Sequence, residues 1–196
     1  MTIDPGEITG LVLAGGRGRR MDGADKGLLL FRGRSMAEQA AKRLAPQVGS
    51  LLISANRNGG DYARLGWPVI ADVLPDQAGP LAGIHATLTA CATPWLATVP
   101  CDAPLLPLDL VSRLAAALEG QPDARVAVPL AAGRLQPAFL LCRRDCLNPL
   151  ATFLATGGRK LDTWLRDMTL VEVPFAEGAA FANINTPEDL AAAEAA

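Results

Sequence analysis

Apolar residues run almost unbroken from position 8 to 14 and stop at Gly15. A short run of this kind, bounded by turn residues, predicts a strand buried on both faces of a parallel sheet. The same pattern predicts strands over 50–55, 68–71, 95–99, 125–130 and 138–141, and an alternating one over 169–175. Between them the composition turns helical. Ser35 with Glu38 three residues later forms a capping box ahead of a helix over 36–48. Further helices are expected over 83–91, 107–119 and 147–167, the last broken at Gly157-Gly158, and Thr186-Pro187-Glu188 caps a final one. Strands alternating with helices imply an α/β layered fold.

No repeat, low-complexity tract or linker divides the 196 residues, so a single domain over 1–196 is expected. A chain of this length buries roughly 70% of its unfolded surface, enough to dispense with disulfides or a structural metal. Half the residues are hydrophobic and 19% charged, which excludes disorder as the main state. Eighteen Lys and Arg against 20 Asp and Glu leave a net charge of −2, which argues against a dedicated nucleic-acid or membrane-surface protein. The first residues are acidic and the first apolar run is short, so neither a signal peptide nor a membrane span is expected. Cys91, Cys101, Cys142 and Cys146 lack the spacing of a zinc site and point to a reducing compartment, the cytoplasm.

In such a sheet ligands gather outside the carboxyl ends of the strands. Gly15 and Gly16 follow the first strand, Asn56 the second, Asp72 the third and Asp102 the fourth. The loop from Leu13 to Gly27 holds Arg17, Arg19, Arg20 and Lys26 among glycines whose backbone N–H groups can approach a phosphate. It matches neither the dinucleotide fingerprint nor the P-loop. A solvated basic turn is the plain alternative, but it leaves the crowding of cations unexplained. Asp102, in Pro100-Cys101-Asp102-Ala103-Pro104, is placed equally well to hold a hard Mg²⁺ ion or to form a turn. Asp72 has the same alternatives, and the two together with the cationic loop favour a metal-nucleotide site. His85 is the only histidine and is read as packing. A phosphate-monoester nucleophile is already dianionic at neutral pH and needs no general base, so its main requirement is charge neutralisation by groups such as Lys26 and Arg20.

Six short motifs then occur in order: Leu13-Ala14-Gly15-Gly16, Arg20-Met21, Asp25-Lys26-Gly27, Gly79-Pro80-Leu81-Ala82-Gly83, Pro100-Cys101-Asp102-x-Pro104 and Asn183-x-Asn185-Thr186-Pro187-Glu188-Asp189. On these the chain resembles the molybdenum cofactor guanylyltransferase family over nearly its whole length. The resemblance implies a Rossmann-like nucleotidyltransferase fold with a mainly parallel central sheet and helices on both faces. It also implies GMP transfer from Mg-GTP to the terminal phosphate of molybdopterin or Mo-molybdopterin, with pyrophosphate released. A nucleotide-binding half would span about 8–104 and a pterin-binding half about 105–196. By the family pattern the Leu13, Ala14 and Gly15 backbone, with Gly16 beside it, meets the nucleotide, and Lys26 contacts phosphate. Asn56 and Asp72 hold the guanosine part, Asp102 holds Mg²⁺, and residues 79–83 face the nucleoside. Asn183 and Asn185 are candidates on the pterin or metal side. Apart from the family pattern, Arg159-Lys160 after Gly157-Gly158 offers a cationic cradle for the pterin at a helix start, a solvated charged pair being the plain alternative. Implied partners include transient contacts with other molybdenum cofactor biosynthesis proteins or molybdoenzyme chaperones, and neither nucleic acid nor membrane. Met21-Asp22-Gly23 departs from the family's usual Met-Gly and adds a carboxylate to the phosphate loop. Three alternatives remain: a cytidylyltransferase acting on the same cofactor, whose loop begins Leu-Ala-Ala-Gly, a sugar-phosphate nucleotidyltransferase, and a non-catalytic nucleotide-binding module.

Overall fold

The computed structural model describes residues 2–14, 25–72 and 79–195. Strand β1 (Ile8–Leu13) is followed by a short hairpin, β2 (Leu30–Phe31) and β3 (Arg34–Ser35), and then by α1 (Met36–Leu44), β4 (Ser50–Ser54), α2 (Gly59–Ala63) and β5 (Val69–Ile70). Next come α3 (Pro80–Ala90), β6 (Trp95–Pro100), α4 (Leu110–Gly120), β7 (Val126–Ala131), β8 (Arg134–Leu135) and β9 (Leu140–Arg143). Helices α5 (Leu147–Ala155) and α6 (Leu161–Arg166), strand β10 (Leu170–Phe175) and helix α7 (Pro187–Ala195) complete the order.

The main sheet runs β10-β7-β9-β6-β1-β4-β5, with β8 bonded to β7. β1 pairs in parallel with both β4 and β6, β4 with β5, and β10 with β7. β9 lies antiparallel between β6 and β7, so the sheet is mainly parallel with an antiparallel insertion. Alternation along β1 distributes the core between two faces. Ile8 and Val12 pack with Ala40, Leu44, Leu110 and Leu114 of α1 and α4, whereas Leu11 packs with Leu81, Ile84, Leu150 and Trp164 of α3, α5 and α6. Helices therefore cover both faces, which is why the strand reads as a continuous apolar run. Each such fully buried aliphatic side chain contributes about 1.5–3 kcal/mol.

Helix α1 begins as its sequence requires. The Ser35 hydroxyl accepts the Glu38 N–H at 3.2 Å, while the Glu38 carboxylate lies 2.6 Å from Lys42 Nζ one turn on. It stops at Leu44 rather than near 48, because Pro46 lacks an N–H and tightens the chain into a 3-10 turn over Ala45–Gln47. The hairpin β2–β3 was not expected from hydrophobic pattern, since each arm is two residues long. Its turn residues Arg32 and Gly33 both take positive φ, 50° and 78°, the geometry that matches strand twist in a two-residue hairpin. Phe31 anchors a third, smaller core with Met36 and Ile184, against which Leu190 and Ala193 of α7 rest. The Arg32 backbone N–H donates to Glu194 Oε1 at 3.1 Å and its guanidinium to the Ala193 carbonyl at 3.0 Å, clasping hairpin and final helix together. All four cysteines are buried and free. No helix among the described residues is long and apolar enough to cross a membrane. Removing the cap in Ser35→Ala is expected to cost about 1 kcal/mol, read as a lower urea midpoint at unchanged m-value.

Candidate active site

Strand order reverses at β1: the chain proceeds outward to β4 and β5, then returns to β6 on the other side of β1. The carboxyl ends of these strands open onto a cleft of about 610 Å³ lined by Leu13, Ala14, Lys26, Asn56, Asp72 and Asp102. This is the position at which open α/β sheets bind ligands. A larger cavity of about 730 Å³ lies at the opposite ends of the strands, beside Trp95, Glu119 and Arg143, and holds none of the candidate residues. Six of the residues selected from sequence are thus brought together. Gly15, Gly16 and Arg20, with Asp22, lie outside the described residues.

Sheet pairing continues one residue beyond the strands. Ala14 N donates to the Ser54 carbonyl at 2.8 Å and Cys101 N to the Leu13 carbonyl at 3.1 Å, which holds the ends of β1, β4 and β6 in register. The Leu13 carbonyl and the Ala14 N–H are therefore engaged in the sheet. On the β4–β5 side Asn56 Nδ2 donates to Asp72 Oδ2 at 2.5 Å, and the Asp72 backbone N–H donates to Asn56 Oδ1 at 2.8 Å. This reciprocal pair spans two strand ends and aims both side chains at the same rim. Gly79 takes φ +57° and ψ −144°, a conformation closed to L-residues, as the chain enters α3. Only the start of the 79–83 segment, Gly79 and Pro80, lines the cleft. Gly83 instead packs α3 onto β4, where a Cβ would come 2.4 Å from Ser54 Oγ.

At the β6 end Lys26 Nζ lies 3.5 Å from Asp102 Oδ2 and donates to Asn185 Oδ1. The Ile184 N–H donates to the Asp102 carbonyl at 2.8 Å, so the segment before α7 is laid along the end of β6. Asn183 also lines the cleft. Asp102 has only 17% of its side chain exposed. Burial raises its pKa above the usual carboxylate value, and Lys26 offsets part of that effect. Among the described residues no three His, Cys, Asp or Glu side chains form a metal-binding cluster. Mg²⁺ does not need one, since it is commonly held by one or two carboxylates together with substrate phosphates. A desolvated carboxylate with a single 3.5 Å ion pair fits that demand.

Two residues to which the sequence reading gave no role, Asp25 and Tyr62, bear on the site. Asp25 caps the 3-10 turn Lys26–Leu28, and its carboxylate accepts the hydroxyl of Tyr62 at 2.5 Å and the side-chain amide of Asn58 at 3.0 Å. The available signals were a cap-forming Asp next to the lysine and the only tyrosine of the chain. Arg159, expected as a cradle for the pterin, does not line this cleft. Its guanidinium donates to the Leu154 and Gly158 carbonyls at 2.9 and 2.6 Å, closing the C-terminal turn of α5.

The raised pKa of Asp102 has a sign that can be checked. A carboxyl whose folded pKa exceeds its unfolded value is a cost to folding once the pH passes the unfolded value, and the cost is complete above the folded one. Asp102→Asn keeps an acceptor for Lys26 and removes the charge. The ligand-free variant is expected to melt above wild type at pH 7, the gap closing below about pH 4, where the carboxyl is protonated in both states. A variant melting below wild type at pH 7 contradicts the burial argument.

Comparison with known proteins agrees with this geometry. A family model described as a MobA-like NTP transferase domain matches residues 10–172. A molybdenum cofactor guanylyltransferase of Cupriavidus taiwanensis is 52% identical over 194 residues, covering 96% of this chain and 97% of that one. One from Polynucleobacter asymbioticus is 49% identical and covers 99% of both chains. Among solved structures, molybdopterin-guanine dinucleotide biosynthesis protein A from Archaeoglobus fulgidus superposes with a TM-score of 0.77 at 22% identity, covering 95% of this chain and 97% of that one. A nucleotidyl transferase from Methanothermobacter has a TM-score of 0.77 at 20% identity, over 96% of each chain. These two likenesses show the fold, an α/β nucleotidyltransferase sheet. With relatives half identical along almost all of its length and a cleft at the matching strand ends, this chain belongs to the MobA-like NTP transferases and, within them, to the molybdenum cofactor guanylyltransferase family.

Proposed function

We propose that the chain transfers GMP from Mg-GTP to the terminal phosphate of molybdopterin, giving the guanine dinucleotide form of the cofactor and pyrophosphate. The observation that carries this reading is the Lys26–Asp102 pair, held in a partly desolvated cleft where three parallel strands end. An oxygen of the pterin phosphate forms the new bond to the α-phosphorus in line, and the bond to the β-phosphate oxygen breaks, its electron pair leaving with pyrophosphate. The dianionic nucleophile needs no base, in keeping with a cleft that His85 does not line.

Each residue then has a physical task. Lys26 places its ammonium against the phosphates, and Arg20 adds a second cation, so that charge on the departing pyrophosphate is met by fixed donors rather than by reorganising water. Asn56 and Asp72, locked to each other, take the guanosine, and Leu13, Ala14, Gly15 and Gly16 supply the strand end and loop on which it lies. Asp102 is the ligand for Mg²⁺, which when bound supplies charge neutralisation to the phosphate oxygens. The pterin enters from the side built by residues from about 105 onward, with Asn183 and Asn185 as candidates to meet it. Four buried free thiols support a reducing compartment, the cytoplasm.

Calorimetry with GTP, CTP, UTP and ATP in Mg²⁺ tests the reading, with selective binding of GTP expected. Preference for CTP would make the chain a cytidylyltransferase for the same cofactor. Turnover with GTP and molybdopterin is expected to fall by about 10²- to 10³-fold in Lys26→Ala and in Asp102→Asn.

A further inference from the structure

Lys26 is carried by a turn that makes little use of the sheet, and its position rests on a small, partly buried network. Asp25 is the cap of that turn: its Oδ1 accepts the Gly27 N–H at 3.3 Å, while the Asp25 carbonyl accepts the Leu28 N–H at 3.0 Å. The same Oδ1 receives the Tyr62 hydroxyl at 2.5 Å, and Oδ2 receives Asn58 Nδ2 at 3.0 Å. Tyr62 is fully buried on α2, and its hydroxyl sits directly beneath the turn. A Cβ added to Gly27 would come 2.3 Å from that hydroxyl and 3.2 Å from Cys101 Sγ, so only glycine lets the turn settle onto both. Burial first, and the bond to Asp25 second, raise the Tyr62 pKa, so the phenol keeps its proton and acts as a donor.

We propose that Tyr62 is a positioning residue for Lys26: its buried hydroxyl fixes the Asp25 carboxylate, and the fixed carboxylate holds the turn that aims the lysine at Asp102 and Asn185. The inference rests on the reading of Lys26 as the phosphate-contacting cation. Tyr62 touches no substrate. Its ring fills the space under the turn, and its hydroxyl selects one orientation of the Asp25 carboxylate out of those open to a half-exposed side chain. A lysine that contacts the leaving group must be held in place before the reaction, because misplacement by an ångström is felt in turnover.

The test is Tyr62→Phe in the full chain, which keeps the ring and removes the hydroxyl. The expected kcat is about tenfold lower, with KM for Mg-GTP within about twofold of wild type. The chain has only three lysines, Lys26, Lys42 and Lys160. Residue-resolved acetylation by an N-hydroxysuccinimide ester therefore gives a second readout, independent of turnover. The Lys26 rate is expected to rise about threefold or more relative to Lys42 and Lys160 as its turn loosens. Asp25→Ala should show the same two changes, and the double variant should be no worse than Asp25→Ala alone. Wild-type kcat, or a lowered kcat with the Lys26 acetylation ratio unchanged, would overturn the proposal. Full turnover in Lys26→Ala would remove the phosphate-contact reading instead, and the acetylation ratio would still decide whether Tyr62 holds the lysine.

Discussion

Asp102 leaves the sheet at the end of β6 with its carboxylate largely out of water, and a charge so placed has to be met by a cation where it emerges. The cation does not come from a neighbouring strand. Among the described residues it is Lys26, distant in sequence and mounted on a single 3-10 turn, so the 3.5 Å ion pair ties residues 25–28 to the end of β6. Much of the local structure serves that tie. Tyr62 and Asn58 hold the turn from one side through Asp25, while Ile184 and Asn185 reach in from the other, one bonded to the Asp102 backbone and one to the lysine.

Among the described residues, Lys26 at 3.5 Å offsets only part of the effect of burying Asp102. On the proposed reading that leaves room for a hard cation arriving with anionic phosphates. With Asp102 as the proposed metal ligand, such a site trades folding stability for catalytic readiness, the usual tension in enzymes. It also explains the composition. In a chain with only one histidine and a net charge of −2, the proposed chemistry rests on charge neutralisation at one strand-end cleft rather than on general acid–base groups.

Elements that carry their own periodicity were legible in the sequence. The run 8–14 announced a doubly buried strand because both of its faces are apolar, and Ser35 announced α1 because a cap is a local bond. Strand-end residues Asn56, Asp72 and Asp102 could be picked out because a parallel sheet brings all such ends to one side. The hairpin β2–β3, helix α2 and strand β8 could not, since two to five residues span too little of a period to stand out. The antiparallel insertion of β9 was likewise hidden, because strand direction is decided by connections rather than by side chains. Arg159 was ambiguous for a related reason. A cation after a Gly-Gly break looks equally like a ligand cradle and like a helix C-terminal cap, and the structure shows it bonded to the carbonyls of Leu154 and Gly158. Tyr62 was illegible because its role depends on a contact with Asp25, 37 residues away.

The laying of Ile184 and Asn185 along the end of β6 also sets an order in time. During synthesis Lys26 and then Asp102 are made before the side chain that receives the lysine, Asn185, and before the residues of α7 that clasp the hairpin at Arg32. A growing chain can form β1, β4 and β6 and bring lysine and aspartate near each other well before this clasp exists. The cleft is therefore closed on this side by a segment made after the sheet ends it joins, and until that segment is in place Lys26 lacks the Asn185 acceptor.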